Sequence, residues 1–373
     1  MARLNNYVDN LVGLSSARAK WPLISVIVLN YNGKNFLNEC LKSVLNSNYP
    51  NFEVVLVDNA STDDSIELAK EKFGNNRVLK IVKNACNLGF AAGNNAGISY
   101  GKGEYILFLN NDTVVEPNWL IELVSVMESD AKIGAAQSKL LSLADKRSID
   151  SAGDFVDYYG LSIRRGSWGE EDRGQYDRIE EIFSARGAAL IVRSKILAEI
   201  GAFDADFFLS YEDIDLCWRI RLNGYKIVFV PKSRVYHIGG ATTISSSVNV
   251  FHLEKNRLST LLKNMPRKYL VKYNPLTFTL GEMVCDLMFN RPLLLYARIK
   301  AILWVLKNFK KIWRKRLSIQ RYVKKIDDEM VDEYMLKTNL KLLFLLFLVR
   351  IRRGEKQATE YYFKSCMKHR SNT

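Results

Sequence analysis

The sequence predicts an α/β fold, with a mostly parallel central sheet flanked by helices and a basic helical region after it. Three observations carry that expectation. Strand-like and helix-like segments alternate between residues 23 and 112. The strand segments are continuous apolar runs, as expected where helices cover both faces of a sheet. A polar cluster follows each of the first four strands, and in open α/β sheets ligands bind beyond the carboxyl ends of strands.

The elements follow in order. Leu23 to Leu29 is a β-branched strand, and Phe36 to Leu45 has helical spacing that stops before Tyr49-Pro50. Glu53 to Val57 is a second strand and Ser65 to Phe73 a second helix. Val78 to Val82 is a third strand, and the Gly- and Ala-rich stretch from Gly89 to Tyr100 reads as a loop entering a helix. Tyr105 to Leu109 is a fourth strand, and Leu190 to Val192 another. The intervening clusters are Asn30 to Gly33, Asp58 to Asp63, Asn84 to Asn95, and Asn110 to Thr113. Each has a plainer explanation: Ser61-x-x-Asp64 fits a capping box, Asn-Gly is a turn, and glycines allow close packing. Four in succession favour a site. Residues 142–182 lack clear periodicity and read as a loop or hairpin beside it.

The stretch from Leu209 to His237 carries the most chemistry. Glu212 and Asp213 are adjacent acids at a helix start, and a carboxylate held beside a pocket can act as a general base. Ser210 and Asp213 also fit a capping box, which would make Asp213 structural. The strand from Tyr225 to Pro231 precedes His237, one of only three histidines, which can complete a metal site.

Composition sets bounds. The 373 residues suffice for one large or two ordinary domains. Five scattered cysteines with no Cys-x-x-Cys pair argue against zinc and a disulfide framework, and suit a reducing compartment. The net charge of +14 is uneven. Residues 263–373 hold 25 Lys and Arg against 9 Asp and Glu, a net +16, and residues 1–262 a net −2. Such a region suits an anionic membrane surface or nucleic acid, but no nucleic-acid motif accompanies the charge. Ile302 to Ile319 has amphipathic spacing with Lys307, Lys310, Lys311, Arg314 and Lys315 on one side. It either lies in a membrane interface or packs on the catalytic domain. Leu340 to Val349, followed by Arg350, is a second candidate anchor. Its longest apolar run, Leu342 to Val349, is too short to span a bilayer.

The stretches SVIVLNYNG (25–33), VVLVDNASTDDS (54–65), NLGFAAGNNAG (87–97), YILFLNNDT (105–113), GAFDADFFLSYEDIDLCWR (201–219) and the His237 segment together resemble the family 2 glycosyltransferases. The resemblance implies the GT-A nucleotide-sugar-binding fold over residues 23–262, with residues 1–22 a leader segment and 263–373 a basic amphipathic region that associates with membrane. Similar chains of the rhamnosyltransferase-like subgroup build surface polysaccharides. It implies an inverting, metal-dependent transferase, with a UDP- or dTDP-sugar donor such as dTDP-rhamnose and a glycan or lipid-linked acceptor. Tyr31 and Asp58 match positions that contact the base, Asn94 the loop lining the nucleotide, and Asn111 and Asp112 the Asp-x-Asp motif. Here Asn110-Asn111-Asp112 offers only one carboxylate. Asp112 and His237 match ligands of Mn2+ or Mg2+, Asp213 the base, and Glu212 and Trp218 the acceptor pocket. The expected place is the cytoplasmic face of the cell membrane, with no nucleic-acid partner. Two rival functions are a nucleotidyltransferase and a non-catalytic nucleotide-sugar-binding scaffold. The first should carry a basic Gly-rich loop after its first strand, where this chain has Asn30 to Lys34; the second needs neither the acid pair nor His237.

Overall fold

The computed structural model describes residues 21–166, 169–239 and 245–353, so most of the expected leader lies outside the described residues. The N-terminal half alternates as the apolar runs dictate. Strands β1 (Ile24–Asn30), β2 (Phe52–Asp58), β3 (Leu79–Lys83) and β4 (Tyr105–Asn110) are separated by helices α1 (Leu37–Leu45), α2 (Ser65–Phe73) and α3 (Gly89–Ile98). They pair in the order β3-β2-β1-β4, all parallel. Side chains along β1 alternate between two buried clusters. Val26 and Val28 face one and Ile27 the other, which is why the strand shows no polar alternation. The loop-and-helix reading of residues 89–100 resolves into α3, which lies close on β1. A Cβ at Gly97 would stand 2.5 Å from the Ile27 Cγ2.

Beyond β4 come β5 (Thr113–Val115), α4 (Trp119–Ser129), and β6 (Ile133–Ser142). The aperiodic stretch then forms short strands: β7 (Ser148–Ser151), β8 (Asp154–Val156), β9 (Ser162–Arg164), β10 (Glu170–Glu171) and β11 (Glu180–Glu181). β8 and β9 form the expected hairpin. Its side chains are unexpectedly buried, with Phe155, Val156 and Ile163 in the core. Next are β12 (Ala189–Arg193), α5 (Ser194–Ile200), α6 (Glu212–Leu222), and β13 (Lys226–His237). β12 runs antiparallel between β4 and β6, and β13 extends parallel to β6. The sheet is therefore mainly parallel in its long ladders, with helices on both faces.

The C-terminal part is helical: α7 (Ser246–Asn264), α8 (Arg267–Tyr273), α9 (Leu276–Met288), α10 (Pro292–Lys307), α11 (Phe309–Ser318), α12 (Asp328–Tyr334) and α13 (Leu340–Arg353). The amphipathic stretch 302–319 is not one helix. It breaks at Asn308, whose side-chain amide donates to the Trp304 carbonyl and closes the end of α10. The expected second anchor is in part a packed helix, since Leu342, Leu343 and Leu346 of α13 are buried in the main core. Residue 262 falls inside α7, which carries contacts to both the sheet domain and the later helices.

Candidate active site

The carboxyl ends of β1, β2 and β4 and the loops after them form one hydrogen-bonded crevice. Asn30, at the end of β1, is buried. Its Nδ2 donates to Ser61 Oγ (3.1 Å) and Ser65 Oγ (2.9 Å), while its Oδ1 accepts from Asn111 Nδ2 (2.8 Å). Ser61 does not build the capping box that its spacing suggested. Its backbone N–H donates to Asp58 Oδ1 at 3.0 Å, and its hydroxyl accepts from the Asn32 N–H at 3.0 Å. Asp63 takes over the helix end by accepting from the Ser65 N–H (3.1 Å). Gly33 is required by closeness: a Cβ there would stand 2.2 Å from Asn30 Oδ1 and 2.3 Å from Asn111 Nδ2. Tyr31 projects from this loop and is exposed, while Asp58 is buried beside it. Asn94 is buried in α3, where its amide donates to the Phe90 carbonyl (3.0 Å).

The second wall forms around His237. The antiparallel pairing of β5 with β13 sets His237 opposite Thr113, next to Asp112 in sequence. Nε2 of His237 lies 3.2 Å from Asp112 Oδ1 and 3.3 Å from Asn110 Nδ2, and Nδ1 lies 2.6 Å from Asp150 Oδ2. Burial disfavours a charged ring here, but the bonds to Asp112 and Asp150 outweigh it and raise the imidazolium pKa to about 9. Asp150 is itself buried, yet the His237 bond holds it below its usual value, and Arg164 Nη1 approaches its other oxygen at 3.4 Å.

The third wall carries Asp213. Tyr211, the residue before α6, has φ +70°, and Ser210 before it has φ +68°. Two consecutive non-glycine residues in the left-handed region cost on the order of 1–3 kcal/mol each, and such strain gathers at functional sites. The turn is held from outside: Asn256 Nδ2 on α7 donates to the carbonyls of Leu209 (2.8 Å) and Ser210 (2.7 Å), and the Tyr211 hydroxyl donates to the Gly160 carbonyl. This geometry excludes the Ser210-x-x-Asp213 capping box, and α6 has no side-chain cap. Instead Asp213 is partly buried at the first turn. Its Oδ2 accepts from the Gly187 N–H (3.2 Å) and its Oδ1 from the Ile214 N–H (2.8 Å). Burial raises its pKa, and Arg186 opposes that rise. Burial and the Asp213 charge push Glu212 well above the ordinary range, and its Oε2 is buried without a hydrogen-bond partner.

Arg186 joins the last two walls. Its guanidinium forms a fork on Asp154, Nε to Oδ1 at 3.1 Å and Nη2 to Oδ2 at 2.9 Å, and its charge acts on both Asp213 and Asp150. Hydrogen bonds thus join Asp150, His237 and Asp112, while the Arg186 guanidinium, held on Asp154, acts on Asp213 and Asp150 through its charge. The Arg186–Ala189 segment, leading into β12, lines this candidate site through Arg186 and the Gly187 N–H. Asp150, Asp154 and Arg164 escaped the sequence reading because they lie where no periodicity marks an element. Trp218 is 1% exposed and meets Phe183 edge-on in the core, beneath the site rather than on its surface. Arg219 is buried and donates to the carbonyls of Ile200, Gly201 and Ala202.

Among the described residues, no group of three or more His, Cys, Asp or Glu side chains is arranged to hold a metal ion. Asp112 and His237 still fit two positions of one. A carboxylate and an imidazole nitrogen converge, and Asp150 fixes the ring from behind, as second-shell carboxylates orient ligating histidines.

Residues 25–198 match the family model described as glycosyl transferase family 2. The O-antigen biosynthesis protein RfbC of Myxococcus xanthus is 28% identical over 235 residues, 61% of this chain and 18% of that protein. A poly-beta-1,6-N-acetyl-D-glucosamine synthase of Staphylococcus epidermidis is 26% identical over 212 residues, 56% of this chain and 48% of the synthase. The chain thus spans less than half the length of these relatives. The fold matches that of GalNAc-T7 crystallised with UDP, GalNAc and Mn2+, with a TM-score of 0.57 and 19% identity over 82% of this chain and 58% of that one.

Proposed function

As a member of glycosyltransferase family 2 through residues 25–198, the chain, we propose, is an inverting, metal-dependent enzyme of surface polysaccharide synthesis. It transfers a sugar from a UDP- or dTDP-sugar, with dTDP-rhamnose a leading candidate, to a hydroxyl of a glycan or lipid-linked acceptor. The observation that carries this reading is the placing of Asp213. A strained turn holds it partly buried at the start of α6, where it accepts from the Gly187 N–H beside the charge of Arg186.

Tyr31 and Asp58 take the base, with Asn94 behind them and Asn111 beside the diphosphate. The Asp58 carboxylate suits the imide N–H of uracil or thymine. Asp112 and His237 would hold Mn2+ or Mg2+ against the donor diphosphate. Bound there, the ion supplies positive charge for the departing nucleoside diphosphate. Asp213 takes the proton of the acceptor hydroxyl as that oxygen attacks the anomeric carbon and the bond to the diphosphate breaks. One carboxylate suffices for inversion, because one displacement needs one base. Glu212, beside Asp213 at the start of α6, shapes the acceptor pocket, and Trp218 fixes the floor behind it. The basic C-terminal region brings the enzyme to an anionic membrane surface at the cytoplasmic face. Among the described residues no helix is long and apolar enough to cross a membrane.

The scaffold alternative predicts donor binding without turnover. The test is nucleotide release from a bound donor after chelation. Release should cease and return on adding Mn2+ or Mg2+; full release from metal-free protein would overturn the metal assignment.

A further inference from the structure

Helices α9 and α10 form a hairpin that buries an ionic cluster beside Phe278, Ala297, Ala301 and Val305 and leaves large apolar side chains exposed. A soluble helical hairpin puts apolar residues inside and charges outside. Here the inner face of α9 presents Thr279, Glu282 and Asp286, all buried, and α10 answers with buried Arg298. Arg298 bonds Glu282 Oε2 (2.6 Å) and Asp286 Oδ2 (2.8 Å) and approaches Glu254 Oε2 of α7 at 3.5 Å. Glu254 in turn bonds Arg257 Nη2 at 2.5 Å. The ionic cluster is internal, and the outward faces are apolar. Leu287 is 65% exposed, Leu293 70%, Leu303 59% and Leu306 64%. On α10 the exposed residues Leu293, Tyr296, Leu303 and Leu306 follow spacings of three and seven, so they share one face.

The charges beside this face have one sign. From residue 276 to 318 the only acids are Glu282 and Asp286, both buried, so every exposed charge is basic: Arg291, Lys300, Lys307, Lys310, Lys311 and Arg314. A second copy of the chain would set these cations against their counterparts. An anionic lipid surface offers both an apolar phase and complementary charge. At 13 and 16 residues the helices are about 20 and 24 Å long, shorter than the ~30 Å hydrocarbon core. They can lie in one leaflet but not span it.

We infer that the α9–α10 hairpin is the membrane-docking element, its outward Leu and Tyr face seated among the acyl chains of an anionic leaflet and Lys300 and Lys307 at the headgroups. This rests on the membrane association proposed above but moves it from the whole stretch 302–319 to α9 and α10, keeping only residues 302–307 of that stretch. Lys311 and Lys315 of that stretch are already bonded to Asp206 and Asp204 of the catalytic domain.

The test is co-sedimentation of the full chain with phosphatidylcholine vesicles and with phosphatidylcholine–phosphatidylglycerol vesicles. Wild type should bind the anionic vesicles at least ~10-fold more tightly. The double substitution Leu287→Glu with Leu303→Glu, or its milder counterpart Leu287→Ser with Leu303→Ser, should lower that binding at least ~10-fold, a free-energy loss of about 1.4 kcal/mol. Far-UV circular dichroism should stay unchanged, because the altered side chains are outside the packed interior. Lys300→Glu with Lys307→Glu should abolish the preference for anionic lipid. Variants that bind like wild type would overturn the hairpin assignment and leave membrane association standing. No vesicle binding by wild type would overturn both. A wild-type dimer that the Glu substitutions convert to monomer, with vesicle binding unchanged, would identify the face as a contact between copies and equally overturn the inference.

Discussion

Replacing Asp204 by Asn separates a buried ionic brace from a surface one. The segment that delivers Glu212 and Asp213 begins at Gly201, and α7 and α11 tie it down. Asp204 Oδ2 meets Lys263 at 2.5 Å, and its Oδ1 bonds Lys315. Lys263 is almost wholly buried and has a second carboxylate, Asp215, at 2.8 Å; Lys315 is about one-third exposed and has Asp206 at 2.7 Å. Stripping a buried charge of its only partner costs ~3–5 kcal/mol. Both lysines keep a partner in Asp204→Asn, so the loss should be nearer ~2 kcal/mol. Lys315→Ala removes a partly solvated pair, worth ~0.5 kcal/mol after screening. Thermal unfolding should therefore drop by about 5 °C for Asp204→Asn and about 1 °C for Lys315→Ala. The pH dependence has a definite sign. Burial would raise the Asp204 pKa, but Lys263 and Lys315 outweigh it and hold the carboxyl below its ordinary 3.8. Its stabilisation is fully present above that value and fades as pH falls through the lowered folded value. The gap between wild type and Asp204→Asn should thus be constant near neutrality and close below about pH 4. Equal shifts for the two variants, or a gap that widens in acid, would refute the reasoning.

Three further outcomes concern the site. Asp213→Asn should lower turnover at least ~10²-fold with donor affinity little changed, measured by steady-state kinetics, because it removes the proposed base and keeps the volume. Arg186→Gln should move the acid limb of the kcat profile to higher pH, since the guanidinium opposes the rise that burial imposes on Asp213; a limb that stays in place would sever that link. Gly33→Ala should weaken donor binding ~10-fold in a calorimetric titration, because its Cβ would part Asn30 from Asn111.

The parallel half of the fold was legible because apolar runs buried on both faces leave an unmistakable pattern. β1, β2, β4 and α2 lie within a residue or two of where that pattern put them. The acid pair at a helix start and a histidine at a strand end were also legible, since both are local in sequence. The wall between them was not. Asp154 of β8 meets Arg186 of the segment before β12, Asp150 of β7 meets His237 of β13, and long-range pairing of short strands leaves no period to read. The C-terminal reading failed differently. The apolar stripe on 302–319 predicts one helix, but Asn308 breaks it. The exposed apolar face of α9 and α10 shows only once Glu254, Glu282 and Arg298 are seen to pair inside.

The central claim is that this crevice turns a nucleotide sugar over, and a panel of UDP- and dTDP-sugars with Mn2+ tests it most directly. Wild type should release nucleoside diphosphate from one of them, slowly to water and faster with an acceptor glycan, while Asp213→Asn binds the same donor and releases at least ~10²-fold less. Binding by wild type without release from any donor, even with acceptor present, would contradict the account and leave a nucleotide-sugar-binding scaffold in its place.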